Sequence, residues 1–142
     1  MGDPRNSVML RVVPGVLFGL ALSGAVATAA CAHAARAISF KADLQPILDE
    51  NCVACHQSGS AEQGLVLEDG KAHQDIVRVR SHQAKLSLVT PGTPDASYLL
   101  RKLEGSHVKA GGSGARMPLG DPLGPKQIMM FRTWIADGAK NN

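Results

Sequence analysis

Cys52-Val53-Ala54-Cys55-His56 is the stretch whose residue types and spacing specify a chemistry. Two cysteines three positions apart lie near each other on a helical turn, so each thiol can form a thioether to one vinyl group of a single haem. The adjacent His56 then sits under the iron, with its imidazole as proximal ligand. Three other chemistries fit less well. A thioredoxin-like cysteine pair expects a βαβ context, which the patterning lacks. A structural zinc site needs four ligands, and with no second Cys pair a distant pair of histidines would have to complete it. A disulfide across two intervening residues would be strained and reactive, a poor staple for an exported domain.

A haem iron has a second axial position, and Met117 is the candidate for it. Arg116 precedes it, Pro118 follows it, and it comes after a glycine-rich stretch at residues 105–114, a flexible loop by composition. A thioether is a soft ligand that favours Fe(II) and raises the potential. A stray Met is more often core filler, and that description suits Met129 and Met130, which lie at helical positions in an apolar run. His73, His82 and His107 are alternative ligands, although lone histidines in polar stretches are usually solvated.

Several short helices must position these groups. Phe40, Leu44, Ile47 and Leu48 share one helical face, which predicts a helix over residues 39–51 leading into Cys52. Pro46 is tolerated there if Asp43 caps the helix and places the proline in its first turn. Residues 64–67 read as a short extended segment, and residues 71–88 as ambiguous, with helix over part. Thr93-Pro94-Asp95 predicts a helix start with Thr93 as cap; Tyr98, Leu99, Leu100 and Leu103 form its apolar face, and Gly105 ends it. A last helix starts at Pro125, carries Ile128, Phe131, Trp134 and Ile135, and stops at Gly138. The fold class expected is all-α.

Composition points the same way. Of the 142 residues only 4% are aromatic, too few for a strong unaided core, and a large apolar cofactor would supply the missing centre. The formal charge is +3, no run of Lys and Arg stands out, and aromatics for base stacking are scarce, so no nucleic acid is expected as a partner. The N-terminus reads as an export signal over residues 1–34: Arg5 and Arg11, an apolar run at 12–30, then Ala32-His33-Ala34 as the cleavage pattern, with Ala27-Thr28-Ala29 competing. Ala and Gly dominate the run, which favours cleavage over retention as a membrane anchor. Thr28-Ala29-Ala30-Cys31 partly matches a lipoprotein box but lacks its large aliphatic residue, leaving Cys31 a bystander; membrane attachment would need lipidation there or retention of 12–30. The domain at 35–142 then carries a net charge of +2, which two haem propionates nearly cancel.

The order Ser39-Phe40, Pro46-Ile47-Leu48, Asn51-Cys52 through His56, Gly64-Leu65, Pro91-Gly92, Ser97, Met117-Pro118 and Trp134-Ile135 through Gly138-Ala139 resembles a small class I-type cytochrome c domain, most like the planctomycete type. The resemblance spans residues 39–139 and implies one covalent haem c wrapped by a few helices, the first and last crossing. It places Cys52, Cys55 and His56 at the attachment motif and Met117 at the distal ligand, so His56 and Met117 hold the iron. Gln57 departs from the pattern, which often has a small Gly after the His. The function implied is an exported, periplasmic electron carrier working with redox partner proteins, not an enzyme. A haem-based enzyme or gas sensor with a labile sixth ligand, and a redox subunit of a larger complex, are the alternatives. Arg101, Lys102, Lys109 and Arg116 flank the loop before Met117 and are candidates for a basic docking face.

Overall fold

The computed structural model describes residues 36–142. The leader expected over residues 1–34, Cys31 included, lies outside the described residues. Four α-helices, α1 Gln45–Asn51, α2 Ala72–Ile76, α3 Tyr98–Glu104 and α4 Pro125–Ala136, with shorter helical turns and no strand among the described residues, make the domain all-α. None of these helices is long and apolar enough to cross a membrane.

The first helical run shows how one residue alters a winding. Ser39 Oγ accepts the Ala42 N–H at 3.1 Å, and Asp43 Oδ2 accepts the Ser39 N–H at 2.7 Å, so side chains satisfy donors at the open end. Pro46 has no N–H for the Ala42 carbonyl, and its ring crowds that oxygen. The chain therefore opens as a wide π turn, Phe40–Leu44, in which the Gln45 N–H reaches back to the Phe40 carbonyl, and only then winds into α1. The single helix expected over 39–51 comes as two windings, and Asp43 serves the π turn instead of capping α1.

The ambiguous stretch resolves into α2, with Ala72 and Ile76 fully buried, followed by an excursion whose arms meet at isolated bridges, Val77 with Val89 and Arg80 with Ser87. α3 begins later than Thr93-Pro94-Asp95 predicts. Pro94–Ala96 forms a 3-10 turn, and Ser97 is extended because its neighbours have tertiary acceptors: the Tyr98 N–H donates to Ser87 O and the Leu99 N–H to Leu88 O, each at 2.9 Å. These bonds do the work expected of the Thr93 cap. Gly105, with φ of +78°, ends α3 as predicted.

α4 starts at Pro125 and is followed by Gly138 at φ +99°, as the sequence indicates. The Gly124 N–H donates to Gln127 Oε1 at 3.0 Å and closes the helix start. Phe131, Trp134 and Ile135 are buried, with Trp134 against Phe40 at a ring-centroid distance of 5.1 Å. The last helix thus packs on the first helical run. Met130 is half-buried against this core, but Met129 is 57% exposed and is not core filler. Asn142 ties back to the first helical run: its carbonyl accepts from Lys41 N and Ser39 Oγ, and its side-chain oxygen accepts from Phe40 N.

Candidate functional site

α1 runs directly into the cysteine pair. The Cys52 N–H donates to Leu48 O at 2.8 Å, Cys55 N–H to Cys52 O at 3.1 Å, and His56 N–H to Cys52 O at 3.0 Å, so residues 52–56 continue as one tight turn. Cys52 is half-buried, Cys55 is exposed, and they are not bonded to each other. Burial, and secondarily the neighbouring Cys55, pushes the Cys52 thiol up to about 11. A redox-active cysteine pair needs a thiol shifted the other way, toward a thiolate at neutral pH. Among the described residues no three His, Cys, Asp or Glu side chains gather to hold a metal, so Cys52, Cys55 and His56 do not converge on one point as zinc ligands would.

The chain after His56 doubles back over it. Leu67 N–H donates to His56 O at 2.7 Å and Glu62 N–H to Cys55 O at 3.2 Å. Gln63 at φ +59° and Gly64 at φ +69° make the reversal, and Glu68 pins its outer edge by accepting from Ser58 Oγ at 2.6 Å. The turn delivers the Leu65 carbonyl to within 3.1 Å of His56 Nδ1. A carbonyl oxygen only accepts, so the proton sits on Nδ1 and the lone pair of Nε2 is left free to bind a metal. Gln57 is exposed, with its amide on Ala54 O at 3.3 Å, so the departure from Gly at that position stays outside the packing.

Met117 is placed from the other side of the sequence, by α3. Its N–H donates to Lys102 O at 3.1 Å, and Arg116 Nε donates to Leu103 O at 2.7 Å. The stretch at 105–114 is not the slack loop its composition suggests. His107 is buried within a 3-10 turn, His107–Ala110, with Nε2 on Gly114 O at 2.9 Å. Lys102 is also buried, only 8% exposed, and donates from Nζ to Ser113 O and Ala115 O at 2.8 and 2.9 Å. That burial lowers its pKa from the ordinary lysine value. The expected basic face loses members for the same reason: Lys102 is internal, Arg116 is half-buried on a carbonyl, and Arg101 donates to Asp95 O, leaving Lys109 exposed.

Cys52, Cys55, His56 and Met117 all line one cavity of about 740 Å³. Leu48, Leu65, Leu67, Leu88, Leu99 and Phe131 give it apolar walls. Val79 and Leu119, 36% and 66% exposed, also line it, large apolar side chains left open to solvent at its mouth. His82 is exposed and lines the cavity too; His73 and His107 do not. His73 instead sets its ring edge-on to Phe40 at 5.2 Å and its Nε2 on Ala139 O at 2.9 Å, and so neither it nor His107 is the solvated surface residue expected.

The family model described as PccH cytochrome c matches residues 39–142. The chain belongs to that family. No curated protein and no solved structure matches it. A cytochrome c binds haem, and the cavity fits one: its volume lies within the roughly 300–1,000 Å³ of cofactor sites, and its apolar wall is joined by polar side chains that include Asn51, Gln74, Arg80 and Gln83. Which carbonyl holds His56 Nδ1 is not readable from the sequence, because a backbone oxygen has no residue signature; the fold identifies it as that of Leu65. Lys102 was misread as surface because a lysine is rarely buried, and only the packing of α3 reveals that its ammonium is held by backbone carbonyls.

Proposed function

We propose that this cytochrome is an exported mono-haem electron carrier, with the haem held on Cys52 and Cys55 and ligated by His56 and Met117. The observation that carries the reading is the gathering of these four side chains on one apolar cavity, with the His56 Nε2 lone pair left free by the Nδ1 contact to Leu65 O. Bound haem supplies the redox chemistry, gaining and losing one electron between Fe(III) and Fe(II). The chain supplies the rest. Cys52 and Cys55 fix the cofactor covalently, His56 offers a neutral imidazole of defined tautomer, and Met117 offers a soft sulfur that favours Fe(II). With His56 and Met117 both holding the iron, no position would be left for a substrate, which suits a carrier between redox proteins better than an enzyme. Residues 1–34 serve as the leader, and cleavage after Ala34 releases the domain 35–142.

Expression of the full chain with a cytochrome maturation system tests this. The mature protein should carry one haem by mass, keep haem-dependent peroxidase staining on a denaturing gel, and resist extraction by acidified acetone. Ferrous protein at neutral pH should bind carbon monoxide poorly. Haem that acetone strips overturns the thioether assignment, and ready binding of carbon monoxide overturns the closed, six-coordinate carrier.

A further inference from the structure

The peptide group between Leu65 and Val66 is engaged at both ends. Its carbonyl oxygen accepts from His56 Nδ1 at 3.1 Å, and its N–H, that of Val66, donates to Asp75 Oδ2 at 3.2 Å. Asp75 reaches this peptide from α2, ten positions along the chain from Leu65, and lines the cavity beside His56. The carboxylate does not touch the imidazole. One amide connects them.

We propose that Asp75 tunes His56 through this amide, acting as a positioning residue for the axial ligand. The inference rests on His56 as the iron ligand. A carboxylate on the N–H end draws that proton and shifts electron density along the amide onto the carbonyl oxygen, because hydrogen bonds in series polarise one another. The Leu65 oxygen then accepts more strongly from Nδ1–H, and Nε2 becomes a more basic donor to the metal. A more basic imidazole favours Fe(III), so Asp75 lowers the reduction potential and opposes the rise that the Met117 sulfur gives. The chain thereby holds two opposed levers, one on each axial ligand, and the one on His56 is reached from α2.

A carboxylate near the site would lower the potential by plain Coulomb attraction as well, so potential alone does not decide. The discriminating signal is the His56 Nδ1 proton in reduced, ¹⁵N-histidine-labelled holoprotein. In Asp75→Asn, which keeps size and removes charge, that resonance should move upfield and exchange with solvent about 3- to 10-fold faster, the range expected for one weakened hydrogen bond. Glu62→Gln is the control, since Glu62 also lines the cavity but lies outside the relay. It should raise the potential without moving the proton. An Nδ1 signal unchanged in Asp75→Asn, or moved equally in Glu62→Gln, overturns the relay while leaving His56 as ligand. A wild-type protein with no iron-bound His56 signal overturns the ligand assignment instead. Should Asp75→Asn yield too little holoprotein, the trans-hydrogen-bond coupling between the Val66 nitrogen and the Asp75 carboxyl carbon in wild type decides, and its absence refutes the proposal.

Discussion

Met117 differs from the other methionines of the domain in where its backbone is held. Its N–H is tied to Lys102 O and its side chain lines the cavity, whereas Met129 is exposed and Met130 packs against the outside of the core. In the proposed assignment Met117→Ala should abolish the sulfur–iron charge-transfer band of the oxidised protein and open the ferrous site to carbon monoxide. Met117→His should stay six-coordinate at a much lower potential, because the soft sulfur that stabilises Fe(II) is gone. Met129→Leu and Met130→Leu should leave band and potential unaltered; a band that survives Met117→Ala but vanishes in either of these means the wrong methionine was chosen. At this scale the sequence was legible where chemistry is contiguous. Cys52, Cys55 and His56 form one motif, and Met117 stands out as a methionine in a polar loop. Leu65 O, Asp75 and Lys102 were not legible, because their roles come from carbonyls and from burial, which only the folded chain defines.

Elements position these residues through tight local devices, and two can be tested. Gly112 lies against Tyr98 so closely that a Cβ there would sit 2.7 and 2.8 Å from two ring carbons, and the ring is itself buried with its hydroxyl on Gln83 at 3.0 Å. Gly112→Ala should therefore cost about 1–3 kcal/mol, read from the denaturation midpoint, and Tyr98→Leu in the same chain should relieve part of the clash. At the start of the π turn, the Arg36 guanidinium and then the Ser39 N–H hold Asp43 below the ordinary carboxylate range. An acid with a lowered folded-state pKa leaves the unfolded chain binding more protons in that window, so its contribution is present above about pH 3.9 and is lost as pH falls through the lowered value. The melting temperatures of wild type and Asp43→Asn should differ at pH 7 and converge on acidification. A gap that stays constant down the acid limb would refute the Arg36 pairing. The boundaries of α4 were readable because Pro125 and Gly138 act locally, whereas the start of α3 was not, since Ser87 and Leu88 replace its cap from a distant part of the chain.

For the molecule as a whole, the cavity sets the terms of folding. Without a cofactor, a cavity of about 740 Å³ walled by Leu48, Leu65, Leu67, Leu88, Leu99 and Phe131 leaves apolar surface facing water, a large loss for a domain whose net stability is roughly 5–15 kcal/mol. The scarcity of aromatics seen in the sequence is the same fact from the other side. Protein carrying Cys52→Ala and Cys55→Ala and free of haem should show no cooperative melt by circular dichroism; a native-like helical melt would contradict this. The junction at Asn142 has a different consequence. Because its carbonyl and side chain both bond to residues 39–41, Asn142 and the first helical run share one seam, and the order in which the chain visits its helices is not what holds them together. A circular permutant, joined across that seam by a short linker and opened at the exposed turn at residues 119–121, keeps every contact of the cavity apart from those of the cut turn itself. Placed behind an export leader, it should mature with the spectrum of the original chain, so that the topology of the thread becomes a free choice while the seam does not.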